Sequence, residues 1–305
     1  MSEYDLKKTR CFSVGLNLNE TIEDYMLFLK EYGEMISSIY FSPLLGRKFY
    51  SRTELEDECD KEDSLSKLKT LLDMFRRQGI RSEMAVNTFG LSDGDIDSIC
   101  HFTTENDIVV DEVVCLAQYG KQLKELYPDS EIKYSFNNPK IKMEDLMYFD
   151  TVVAGKELLR DKAARHRLVE SGKDIVLLLN NGCSFACHYP CGDSEFCGKI
   201  LDESLRKYDL DYLYAQQSFF PEELKRLLDT DSYASRYRFK ISNRPLGLEF
   251  TRRELDLYSG LGSVEELIRQ NTDNYGFFCV MYQMFVRRFE LDLDSVIRYK
   301  EKLPV

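Results

Sequence analysis

The chain has 305 residues, 43% of them apolar and 31% charged, with 19 Tyr, 19 Phe and no Trp. That composition suits a globular domain with ample core material and argues against long intrinsic disorder. The net charge of −12 argues against a general electrostatic grip on nucleic-acid backbones or anionic membranes, though a local basic groove stays open.

Short apolar runs alternate with amphipathic stretches along the chain. Residues 11–18 read as a strand and 21–36 as a helix with Thr21 at its start. A second strand at 37–43 leads into a polar loop through Arg47 and Arg52. Helical spacing over 64–79 stops at Gly79, followed by a strand at 81–87 and a helix at 92–106. Strands at 111–116, 131–136 and 150–155 alternate with helical stretches at 118–128, 143–149 and 158–172. The run 173–180 is the most apolar in the chain, as a strand buried on both faces should be. An eighth strand at 237–243 follows a long insertion, and RRELDLYSGL continues as a helix. Residues 263–271 and 275–302 read as two further amphipathic helices.

Eight strands with mostly helical connections predict parallel pairing and closure into a (β/α)8 barrel over 11–262, with 263–305 as a C-terminal helical extension packed on it. An open doubly wound sheet is the alternative, but no Gly-rich phosphate turn follows the first strand. The first residues lack the apolar stretch of a signal peptide, and no run of about 18 apolar residues occurs, so a cytoplasmic protein with no membrane association is expected.

In such a barrel the active site gathers at the carboxyl ends of the strands. Those positions hold Asn17, Asn19, Asn87, Cys115, Asn137, Lys156, Asn180, Asn243 and Arg244. Asn serves there either as a donor and acceptor for a ligand or simply as a residue that suits turns. Arg47 and Arg52 flank Phe49 and Tyr50, a combination that can stack a base or grip a carboxylate. Lys240 and Ser242 share parity on the last strand, so an inward Lys240 would contact a substrate anion, with Arg244 beside it. The ligand-binding set expected is Arg47, Arg52, Asn87, Asn180, His188, Lys240 and Arg244.

Nine cysteines with no export signal are expected to be thiols or metal ligands. Cys183, Cys187, Cys191 and Cys197 lie close together directly after the seventh strand, with His188 among them. Four thiolates can satisfy a 4Fe–4S cluster or a tetrahedral zinc, although the spacing is neither that of a zinc ribbon nor that of a ferredoxin. Reduced loop thiols remain the plain alternative.

The succession DTVVAG (150–155), LLRDKAARHRLVESG (158–172) and DIVLLLNNGCSFAC (174–187) resembles the collagenase-like (PrtC-type) U32 peptidase family, as do KYSFNN (133–138) and RFKISNRPLG (238–247). The likeness runs loosely from about residue 11 to 260 and is sharp only at 150–191. It implies a (β/α) barrel that either hydroxylates a small or RNA-borne substrate with a four-iron cluster or acts as a peptidase. Cys183 and Cys187 match the family's first cysteine motif, whereas Cys191 and Cys197 lie much closer than its later cysteines. Asn181 stands where an acidic residue is common, and Ser242-Asn243-Arg244 replaces Glu-Gly-Arg. The alternative from another class is a non-catalytic barrel that binds a peptide or protein partner, its cysteine loop stapled by zinc.

Overall fold

The computed structural model describes residues 6–49, 63–135, 143–180, 206, 219–242, 247–260, 293–300 and 302. Eight parallel strands pair in chain order and close on themselves: β1 (Phe12–Gly15), β2 (Ile36–Phe41), β3 (Arg81–Val86), β4 (Glu112–Cys115), β5 (Glu131–Ser135), β6 (Thr151–Ala154), β7 (Asp174–Leu178) and β8 (Tyr237–Lys240). Closure is made by β8 on β1, with Phe239 opposite Phe12 and Lys240 opposite Ser13. The expected (β/α)8 barrel forms, and that last pairing excludes the open sheet.

The helices begin and end where local chemistry dictates. Thr21 caps α1 (Ile22–Tyr32): its hydroxyl accepts from the Asp24 amide while the Asp24 carboxylate accepts from the Thr21 amide. Ser92 and Asp95 repeat this reciprocal cap on α3 (Asp93–Glu105). Between them, α2 (Ser64–Arg77) ends on two arginines, and Gly79 turns the chain into β3 at φ +73°. Gly120 opens α4 (Gly120–Leu126) and lets the Phe149 ring lie directly against the backbone. The expected helix over 143–149 is a 3-10 turn, Met143–Tyr148.

The single helix expected over 158–172 is two, α5 (Lys156–Arg160) and α6 (Lys162–Glu170). Asp161 makes the break, because its carboxylate caps the second helix by accepting from the Ala164 amide at 2.8 Å. The long insertion contains a helix that periodicity did not single out, α7 (Pro221–Thr230), with Pro in its first turn. The next, α8 (Gly247–Tyr258), starts earlier than expected, and α9 (Leu293–Lys300) is helical within the expected C-terminal stretch. The expected helix over 263–271 lies outside the described residues.

Outward-facing residues such as Phe12, Ile39, Met84, Val113, Ile132 and Leu177 pack under the helices in one large core. Inside the barrel, Val114, Val153 and Val176 make a small cluster of their own. Followed around the barrel, the strand registers stack the inward side chains in tiers of four from alternate strands. A low tier holds Ser38, Glu112, Thr151 and Arg238, with Arg81, Glu131 and Asp174 beneath it at the amino ends. Above it come Ser13, Glu83, Lys133 and Val176, then Tyr40, Val114, Val153 and Lys240. Gly15, Ala85, Ser135 and Leu178 lie nearest the carboxyl-terminal mouth.

No described helix is long and apolar enough to cross a membrane.

Candidate functional site

The lower tiers hold a chain of ion pairs where a barrel of this kind normally packs branched apolar residues. Glu83, fully buried, accepts from Lys133 Nζ at 2.6 Å and also from Lys240. Lys133 pairs in addition with Glu112, which meets Arg81 and, at 3.1 Å, Arg238. Glu131 joins Arg81 at 2.9 Å and also Arg238, and it accepts from the Thr151 hydroxyl at 2.5 Å. A buried charge is tolerable only when paired and hydrogen-bonded, and these pairings supply that. Glu83, Glu112 and Glu131 thus share Arg81, Lys133, Arg238 and Lys240 in one continuous chain of alternating charges, with Asp174 at the amino end of β7 paired to Arg236.

Proton affinities follow from the pairing. Burial works to raise the Glu83 carboxyl, but Lys133 and then Lys240 override it and hold the group well below the usual carboxylate range. Burial pushes Glu112 up, and the Glu83 charge adds to that push. Glu131 feels burial too, yet Lys133 and Arg238 bring it down to about 2. Burial lowers the Lys240 ammonium against the opposing pull of Glu83.

Lys240 is the member nearest the mouth. Its ammonium lies over the Tyr40 ring, 4.0 Å from the centroid, and the Tyr40 hydroxyl donates to the Ile241 carbonyl at 3.2 Å. The Lys240 side chain is 10% exposed, whereas Lys133 and Glu83 in the tier below are at 1% and 0%. That sealed tier separates Lys240 from solvent at the amino ends, so its exposed part faces the carboxyl-terminal mouth. Ala85 and Leu178, above it, are half-buried. Parity on the last strand thus places Lys240 as the alternation predicts, but with a carboxylate already on it.

The other expected residues divide. Asn180 ties β7 to β8 beyond their ends: its Oδ1 accepts from the Ser242 amide at 2.6 Å, and the Ser242 hydroxyl donates to the Asn180 carbonyl at 2.6 Å. Its Nδ2 donates to the buried Glu254 at 3.2 Å. Asn17 plays a similar turn-making part, its Oδ1 accepting from the Asn19 amide at 2.9 Å. Asn87 follows β3 at the mouth, half-buried, and Arg47 opens a 3-10 turn after β2. Cys115 points away from the mouth into the outer core, where burial pushes its thiol up. His166 belongs to another pair, with Asp231 at 2.8 Å.

Arg52, His188, Arg244, Cys183, Cys187, Cys191 and Cys197 lie outside the described residues. The roots of the cysteine-bearing segment are nevertheless placed. The chain leaves β7 through Leu179 and Asn180, and the Phe219 amide returns to donate to the Leu179 carbonyl at 2.9 Å. The described residues on either side of the segment therefore meet at the carboxyl end of β7. Among the described residues no three His, Cys, Asp or Glu side chains gather as a metal site.

Glu83, Glu112, Lys133 and Arg238 were not singled out from sequence. Their signal was ionisable residues at one parity in four strands that otherwise read as buried.

No protein-family model matches the chain, and no curated protein matches it. Solved structures similar to it include a protein described as a dehydratase from Mesorhizobium loti, at TM-score 0.40 and 12% identity over 76% of this chain and 54% of that one. This chain thus spans about half the length of that protein. A GH113 β-1,4-mannanase aligns at TM-score 0.46 and 11% identity, covering 91% of this chain and 99% of the other. An active-site mutant of a Rhizomucor miehei β-1,3-glucanosyltransferase aligns at TM-score 0.40 and 12% identity, covering 77% and 88%. The (β/α)8 fold itself rests on the strand order and closure of this chain.

Proposed function

We propose that this chain is a barrel enzyme that holds an anionic small-molecule or RNA-borne substrate at the carboxyl-terminal mouth over Lys240. It works with a metal group, a 4Fe–4S cluster or zinc, on Cys183, Cys187, Cys191 and Cys197, in line with the resemblance to the collagenase-like peptidase family. The observation that carries this reading is the rooting of the segment 181–218 on β7, the strand beside the one that bears Lys240. The segment that carries the four cysteines, a soft donor set, is thus anchored on the strand beside the one that bears Lys240. When bound, an iron–sulfur cluster would supply electron transfer for a redox or hydroxylation step, and zinc would supply Lewis acidity. The contribution of the described residues is the Lys240 ammonium, the cation of the ion-pair chain nearest the mouth.

Two measurements test this. Elemental analysis of anaerobically purified protein should find iron or zinc that is lost when the four cysteines are replaced by serine; neither metal in the unaltered protein rejects the cofactor. Lys240→Met should weaken binding of inorganic phosphate by about 1–3 kcal/mol, the worth of a charged hydrogen bond. Unchanged phosphate affinity rejects the anion site.

One observation favours a second reading. Each ionisable group in the lower tiers already has a partner, as a purely structural filling would require. The barrel would then be a non-catalytic scaffold for a peptide or protein partner, with the cysteine segment a zinc staple. Zinc content with no response of phosphate binding to Lys240→Met would select it.

A further inference from the structure

We infer that Lys240 is an amine nucleophile for a ketone or aldehyde, forming an imine with the substrate's carbonyl carbon at the floor of the mouth. The inference rests on the reading of the mouth as the substrate site and adds the class of reacting group.

Three features of the site converge on this chemistry. The Lys240 side chain is nine-tenths buried, and its remaining exposure faces the mouth because the tier beneath it is sealed. Its position is held from two sides, by the Glu83 carboxylate and by the Tyr40 ring, whose centroid lies 4.0 Å from the ammonium. A second ammonium, Lys133, shares Glu83 at 2.6 Å, so two like charges crowd one carboxylate. Burial and that like-charge neighbour both favour loss of a proton from Lys240, the usual route by which a lysine becomes nucleophilic.

The step balances without a co-reactant. Lys240 gives up one proton to water at the mouth, and its nitrogen lone pair attacks the carbonyl carbon. The carbonyl π pair moves to oxygen, which takes up a proton as the nitrogen of the adduct loses its second one, giving the carbinolamine. A further proton, equal to the one first released, then lets the oxygen leave as water as the nitrogen lone pair forms the carbon–nitrogen double bond. An ammonium and a carbonyl have become an iminium and a water molecule, with no change in charge. Glu83 therefore faces a cation before and after, and the buried charge balance survives the reaction. An arginine at the same position would keep that charge but could not form the imine.

Reductive trapping tests the inference on the full chain. The protein is incubated separately with pyruvate, dihydroxyacetone and glyceraldehyde, then reduced with sodium borohydride and mapped by peptide mass spectrometry. The expected result is a borohydride-dependent adduct on Lys240 with at least one probe, several-fold above that on the exposed Lys121. The adduct should vanish in Lys240→Arg, whose fold is checked by circular dichroism. Labelling of Lys240 no greater than that of Lys121 with all three probes overturns the inference. Phosphate binding that persists in Lys240→Arg alongside absent trapping in the unaltered protein would leave the anion site standing and remove the imine alone.

Discussion

Replacing Glu83 by Gln tests whether the ion-pair chain holds the barrel together. The side chain is fully buried, with Lys133 at 2.6 Å and Lys240 as its second partner. Gln keeps the volume but removes the charge and presents an amide N–H group to one of two ammonium groups. Lys133 retains Glu112, whereas Lys240 loses its carboxylate partner among the described residues. Breaking a buried pair from one side costs about 3–5 kcal/mol, because the remaining charge is stranded. Against a total stability of about 5–15 kcal/mol that is a large share, visible as a lower urea midpoint at unchanged slope. The double variant Glu83→Gln with Lys240→Met removes the stranded charge too, so it should lose less than the sum of the two single changes. A loss below about 1 kcal/mol for Glu83→Gln, the value typical of a surface pair, would refute the reasoning.

The same group sets a pH signature. Its carboxyl is held below the ordinary value of 4.5, so its contribution is complete above that pH and disappears as the pH falls toward the folded-state value. Glu131, brought from 4.5 to about 2, adds a loss in the window between those values. Urea midpoints of the unaltered protein should therefore fall more steeply below pH 4.5 than those of Glu83→Gln.

Smaller changes probe the rest of the frame. Gly120→Ala should lower the thermal midpoint, because the added methyl meets the Phe149 ring, an overpacking of about 1–3 kcal/mol. Ser92→Ala removes one half of the reciprocal cap on α3 and should cost about 1 kcal/mol in urea unfolding. Asn180→Ala unlatches β7 from β8 and leaves Ser242 and Glu254 without its hydrogen bonds, so hydrogen exchange at the Ser242 amide should speed up.

Much of the barrel was legible because its signals are local. A period of two in the strands, a longer period in the helices, Thr21 and Ser92 as caps and Gly79 as a stop all act within a few residues. The misreadings were also local. Asp161 inside LLRDKAARH caps a second helix, and a window that averages over it sees one. At the mouth, Asn180 and Asn17 sit at strand ends as read, but their side chains are occupied in tying strands and turns. Residue type and position on the chain do not distinguish a ligand-binding amide from a latch; the partner does.

The charged interior was hidden for a different reason. Ionisable residues at alternate positions of a strand, as in RSEMAV, EIKYS and YRFK, ordinarily mark a solvent-facing side. In a closed parallel barrel no strand has such a side: one face meets the helices and the other meets the lumen. Once eight parallel strands are granted, Arg81, Glu83, Glu112, Glu131, Lys133, Arg238 and Lys240 must share one enclosed volume, and their mixed signs become a pairing problem. Parity says that Lys240 points inward. Its height follows only from the register, which sets it opposite Ser13 and one tier above Glu83 and Lys133. A lysine lower in the barrel would be a structural counter-ion like Lys133, sealed at 1% exposure. One tier higher, the same side chain keeps its carboxylate and retains 10% exposure, and the proposed chemistry at the mouth rests on that difference in height.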